Sequence, residues 1–372
     1  MRKFSNLALI AALIFCSCLA TGQDNFPEKR EQVYVCPPCY HVKNIFETEV
    51  YTHDGQCPIC GMNLIERHPY HGDASPLLHT GSGNFYLRMG KNRQRKPLSI
   101  FYHKPKNFGP DSKILLVVPG AGRNAWSYRD SWVEVSESHS VLILSPAYAE
   151  EDYDFAGYHL GGVVTSIEFT NYSTEEFEGR INKYIVKSDR DIVLGKVAGS
   201  EEWIFQDFDR IFEEAVAATG SNQEKYDLFG HSAGGQILHR MAVFHPNSKA
   251  DRIIAANSGQ YTLPTRLVNF PFGLGNTAVK TRSYRDIFSV NLTILVGEKD
   301  NDNESRGTLL FTPTLNQQGL GRLSRAKYFY EIAKQQAEKN NLNFNWQLRI
   351  IENTGHESRK MSRAAAELLY GE

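Results

Sequence analysis

From about Asn84 onward, short apolar runs alternate with stretches in which apolar residues recur every three or four positions. That alternation predicts a sheet covered by helices. FYLRM and PLSIFYH read as opening strands, while KILLVVP from Lys113 and SVLILSP from Ser140 are near-continuous apolar runs suited to central strands. Between Trp203 and Ala218, a predicted helix carries Ile204, Phe208, Ile211, Phe212 and Ala215 on one face. RIIAANS from Arg252 and LTILVG from Leu292 predict later strands, and a helix follows from about Leu323 to Lys339. WQLRIIEN and a last helix, SRKMSRAAAELL, close the chain. The segment from about Glu151 to Ser200, rich in Tyr, Gly and charge, fits either an insertion or lid, or an ordinary surface excursion.

The first residues follow a different pattern. Arg2 and Lys3 precede an apolar run from Leu7 to about Ala20, too short to span a bilayer comfortably and suited to a signal peptide over 1–22. The expectation is export, periplasmic or extracellular. Cys18 after Ser17 resembles a loose bacterial lipoprotein site, so a membrane partner is expected only if Cys18 is lipidated. Composition narrows the partners further: 372 residues with 41% apolar content can bury a large core, and a formal net charge of -1 offers no basic field for a phosphate backbone. Nucleic acid is therefore not an expected partner.

YDLFGHSAGG, Tyr226 to Gly235, contains Gly-x-Ser-x-Gly between an apolar run and a helix-like run. A strand that turns sharply into a helix exposes a serine only if its neighbours lack bulk, which the glycines provide. Ser232 is thus the candidate nucleophile. A serine hydroxyl needs a histidine to take its proton and a carboxylate to orient that histidine. LTILVGEKDND runs from a strand into Asp300 and Asp302, and WQLRIIENTGHES runs from another into His356, giving the order Ser, acid, His. Asp300 is the expected orienter because it ends the Gly-x-x-Asp turn begun by Gly297. An oxyanion needs backbone N–H donors, expected from Ala233 after the serine and from Ala121 in the loop PGAGRN.

PGAGRN, GHSAGG, GEKD and TGH together resemble the α/β-hydrolase superfamily over about 84–372, and within it the polyhydroxybutyrate depolymerase and feruloyl esterase branch. Pro119 stands where that branch usually has a histidine. The resemblance implies an α/β fold, a mostly parallel sheet flanked by helices, with ester hydrolysis through an acyl-enzyme. Ser232 would be the nucleophile, His356 the base and then acid, and Asp300 the orienter. The substrate would be a small-molecule or polymeric ester, and the hydrolase itself would need no cofactor.

Residues 34–66 form a separate module, followed by a polar linker, 67–83. Cys36-x-x-Cys39 and Cys57-x-x-Cys60 have the spacing of a four-thiolate zinc ribbon, and the intervening apolar residues are too few to fold without a staple. The expected ligand set is Cys36, Cys39, Cys57 and Cys60, holding Zn2+ or another soft metal; a pair of disulfides is the alternative in an exported protein. CPICGMNL also resembles the small heavy-metal-binding domain attached to copper and silver efflux proteins, although that family usually begins with Cys-x-x-His. Two other functions fit the same sequence: an envelope metal-binding or metal-sensing protein on a non-catalytic hydrolase scaffold, and a peptidase or thioesterase on this fold. The sequence carries no signal for the oligomeric state.

Overall fold

The computed structural model describes residues 34–35, 50–56, 65–66, 76, 78–90, 95, 97–279 and 283–371. The expected signal peptide and Cys18 lie outside the described residues. Within the amino-terminal module, β1 (Tyr34–Val35) pairs antiparallel with both β2 (Val50–Tyr51) and β3 (Ile65–Glu66).

The main sheet begins with β4 (Gly81–Arg88) and β5 (Pro97–Lys104). Its first strand therefore starts inside the segment expected as linker. β6 (Ile114–Val118) leads through α1 (Ala125–Asp130) and α2 (Val133–His139) to β7 (Leu142–Ala147) and α3 (Phe155–Tyr158). An excursion follows: β8 (Ile167–Phe169), β9 (Tyr172–Phe177), β10 (Arg180–Val186) and β11 (Ile192–Leu194). The chain returns through α4 (Phe205–Thr219), β12 (Tyr226–His231), α5 (Ala233–Phe244), β13 (Ala250–Ala256), α6 (Tyr284–Ser289) and β14 (Leu292–Gly297). It ends with β15 (Leu309–Phe311), α7 (Pro313–Asn316), α8 (Arg322–Lys339), β16 (Gln347–Ile351) and α9 (Ser358–Tyr370).

Eight strands form one sheet in the order β16-β14-β13-β12-β6-β7-β5-β4. β4, β5 and β7 pair antiparallel, and every pairing from β7 through β6, β12, β13 and β14 to β16 is parallel. The near-continuous apolar runs have a direct cause in the period of two. In β6, Ile114, Leu116 and Val118 enter one core with Phe208, Phe212, Ile237 and Phe329, while Leu115 and Val117 enter the other with Trp132, Met361 and Leu369. Full burial of such a side chain stabilises the fold by about 1.5–3 kcal/mol, so losing either layer would unfold the domain.

The excursion is a largely exposed hairpin rather than a continuation of the sheet. β9 pairs with β10, and β10 pairs parallel with β15, which tethers the hairpin to the chain that leaves β14. A two-stranded pair, β8 with β11, forms its base.

Candidate active site

β12 ends at His231, and Ser232 turns the chain into α5 with φ 59° and ψ -114°. A non-glycine residue in that region is strained, and the strain here is held from both sides. The Ser232 N–H donates to the Ala256 carbonyl at 2.9 Å, and α5 packs so closely on β6 that a Cβ on Gly234 would lie 2.1 Å from the Val118 carbonyl oxygen. Only glycine fits there. This explains the Gly-x-Ser-x-Gly pattern in terms of space rather than flexibility.

The three side chains expected to cooperate meet at the ends of three strands. Oγ of Ser232 lies 3.1 Å from Nε2 of His356, and Nδ1 of His356 lies 2.8 Å from Oδ2 of Asp300. Asp300 follows β14 by one turn, with its N–H on the Gly297 carbonyl, whereas Asp302 is exposed. Asn257, just past β13, ties these ends together: its amide donates to the Gly355 carbonyl and its side-chain oxygen accepts from the Gly297 N–H. Among the described residues, neither the Ala121 nor the Ala233 backbone N–H has a protein acceptor, so both remain able to donate to a substrate oxygen.

The site is dry. Asp300 is fully buried and the His356 side chain is only 6% exposed. Burial pushes the Asp300 carboxyl up, against the Arg322 guanidinium that pulls it down. Burial, with Arg322 behind it, depresses the His356 imidazolium well below the usual histidine range, and the Glu304 carboxylate opposes that shift. His356 is therefore a neutral imidazole able to accept a proton from Ser232. The His231 ring sits 4.6 Å from that of His356 and is held neutral by burial and by its neighbour.

Several contributors have no sequence signature. Nη1 of Arg322, at the first turn of α8, donates to Oδ1 of Asp300 at 2.9 Å. Oε2 of Glu304 accepts the His356 backbone N–H at 2.9 Å. Tyr261 is fully buried against Phe329, as a core residue. Of the other histidines, His239 is buried within α5 and accepts the Thr262 N–H, while His245 closes that helix beside Asp209.

The solved structures decide the family. A poly(aspartic acid) hydrolase-1 from Sphingomonas sp. KT-1 is 30% identical, with TM-score 0.67 over 79% of this chain and 100% of that one. The chain belongs to the α/β-hydrolase superfamily. A second α/β-hydrolase neighbour, a poly(3-hydroxybutyrate) depolymerase from Bordetella parapertussis, is 27% identical, with TM-score 0.65 over 78% of this chain and 91% of that one. No curated protein sequence matches the chain. The family described as heavy metal binding domain matches residues 33–67. This α/β-hydrolase thus carries a heavy-metal-binding domain at its amino-terminal side. The expected ligands Cys36, Cys39, Cys57 and Cys60 lie outside the described residues. Among the described residues, no group of three or more His, Cys, Asp or Glu side chains is placed to hold a metal.

Proposed function

We propose that this hydrolase is an exported serine enzyme that cleaves carboxylic esters through an acyl-enzyme, acting on a polymeric or oligomeric substrate. The observation that carries the reading is the continuous chain Ser232 Oγ, His356, Asp300, at 3.1 and 2.8 Å, beside two unengaged backbone N–H groups. His356 takes the Ser232 proton as Oγ attacks the carbonyl carbon, and Asp300 stabilises the imidazolium. The N–H groups of Ala121 and Ala233 receive the oxyanion. His356 then protonates the leaving oxygen, and water attacks the acyl-enzyme by the reverse sequence. The depolymerase named above supports a polyester. A second reading, amide cleavage on the same serine, is favoured by the neighbour named for poly(aspartic acid).

For the amino-terminal domain, four cysteine thiolates suit zinc or a softer ion in a tetrahedral, closed site. Such a site supplies structure, and no step of the hydrolysis is assigned to it. The test of function pairs a fluorophosphonate probe with a substrate panel of short and long acyl esters, 3-hydroxybutyrate oligomers and poly(aspartic acid). Labelling at Ser232 with ester turnover supports the reading. Equal labelling of Ser232→Ala refutes it, and turnover of the polyamide alone selects the second reading.

A further inference from the structure

Asp300 has two carboxylate oxygens, and the serine hydrolase reading uses only one. The other, Oδ1, accepts from Nη1 of Arg322 in a pair that is 1% and 0% exposed. Arg322 also reaches forward along the loop between β14 and β15. Its Nη1 lies 3.3 Å from the Arg306 carbonyl and its Nη2 lies 3.4 Å from the Thr308 carbonyl. Between those carbonyls sits Gly307, where a Cβ would lie 2.9 Å from both Nε2 of His356 and Nη2 of Arg322. One guanidinium therefore touches the acid and the stretch of backbone that covers the imidazole.

The placement of Arg322 is fixed independently of its charge. The first turn of α8 packs on the acid loop, with the Leu323 N–H on the Asp300 carbonyl at 2.8 Å. The acid and its cation are thus docked through the main chain before their side chains meet.

We propose that Arg322 is a positioning residue: it fixes Asp300, holds the 306–308 backbone over His356, and keeps the proton off the Asp300–His356 pair as pH falls. The proposal rests on the serine hydrolase reading of the site. A cation one bond from Asp300 opposes any extra proton on the pair, whichever member takes it. The other groups facing the pair are distributed so that Arg322 dominates. His231 of β12 is neutral, and Tyr261 after β13 is a buried, protonated phenol. On the acid loop, Glu304 and Arg306 bind each other at 2.6 Å, and Glu357 after β16 pairs with the same arginine at 3.3 Å and with Lys360 of α9 at 3.0 Å, so the two acids and two bases largely cancel. Arg325, one turn along α8, spends its donors on the Gly259, Gly319 and Leu310 carbonyls.

The test is the rate of fluorophosphonate labelling of Ser232 against pH in the full chain. In Arg322→Gln the acid limb should move upward by about one unit or more, since the pair loses an opposite charge that no neighbour replaces. Arg322→Lys keeps the charge but loses the fork. Its limb should stay near that of the wild type while the plateau rate falls about tenfold or more, with faster amide exchange over 301–308. An unmoved limb in a folded Gln variant would overturn the proposal. So would a Lys variant with the full plateau rate, and that result decides even if the Gln variant does not fold. Failure of the wild type to label at all would instead strike the serine hydrolase reading, and the two failures are thereby distinguished.

Discussion

The hydroxyl of Tyr128 lies 3.1 Å from Nδ1 of His231, joining the helix that follows the PGAGRN loop to the residue that precedes Ser232. Burial pushes this phenol up to about 12, so it stays protonated and can donate to the neutral imidazole. The α-carbon of Gly120 packs against the same hydroxyl, where a Cβ would sit 2.9 Å away and only 3.4 Å from Cβ of Ser232. Tyr128 therefore fixes the distance between the loop that carries Ala121 and the turn at Ser232.

Tyr128→Phe removes the hydroxyl and leaves a buried Nδ1 without its partner, a cost of about 1–3 kcal/mol in stability. Because the Ala121 N–H rides on the loop that Tyr128 holds, kcat should fall by roughly 10-fold or more while KM changes little. Paired kinetics and urea melts check this. A stability loss with unchanged kcat would make Tyr128 a packing residue only.

Asp300 and Asp302 separate by geometry. Only Asp300 reaches His356, and Asp302 is exposed. Asp300→Asn should lower kcat on the order of 10⁴-fold, and Asp302→Asn should stay within a factor of about two. If the two effects are exchanged, the orienter has been misassigned.

The sheet, its helices and the order Ser232, Asp300, His356 were legible because each depends on local pattern: period two, period three to four, and loops that follow strands. The supporting shell was not legible. Arg322 is 22 residues from Asp300 and Tyr128 is 103 residues from His231, and an arginine at a helix start or a tyrosine on a short helix carries no mark of such a partner. The same limit applied to 151–200, where exposed strands have no apolar face to give a period. Its hairpin is fixed by pairing with β15, more than a hundred residues away in sequence.

Stability should fall in mild acid, and the sign follows from four histidines. His231, His239 and His356 are depressed well below the usual value by burial, and burial takes His159 down to about 3. Below about pH 6.5 the unfolded chain gains protons that the folded chain refuses, so each contributes a loss of about 1.4 kcal/mol per pH unit until its folded value is reached. Asp207, pushed up to about 6 by burial, acts the other way, because the folded carboxyl binds its proton first and offsets one histidine. The net expectation is a urea midpoint that drops between pH 6.5 and 5. His239→Gln should flatten that slope, and a slope unchanged in this variant would remove His239 from the account.

Gly234 tests whether the turn from β12 into α5 is limited by space. A methyl group there meets the Val118 and Pro119 carbonyl oxygens at 2.1 and 2.8 Å, main-chain atoms of β6 and the PGAGRN loop that cannot rotate away. Gly234→Ala should therefore cost about 1–3 kcal/mol or more and abolish labelling of Ser232, even though alanine is the better helix former. A variant that labels normally would show that α5 can shift from the sheet without disturbing the nucleophile.

The heavy-metal-binding domain gives the last prediction. Between Cys39 and Cys57 the clearest large apolar residues are Val42, Ile45, Phe46, Val50 and Tyr51, too few to offset the ordering cost of about 1.5 kcal/mol for each residue of the module. The expected cross-link is a metal ion, because two Cys-x-x-Cys spacings suit four thiolates at the corners of one tetrahedron, whereas a disulfide within each pair would leave the halves unconnected. Protein recovered from its own compartment should hold one zinc or softer ion and release four thiols when denatured with chelator. Stripping the metal from the native chain should leave Ser232 labelling unchanged, since no metal-dependent step is assigned to the hydrolase. Absence of both metal and thiols would establish disulfides, and loss of labelling on chelation would tie the metal to the active site.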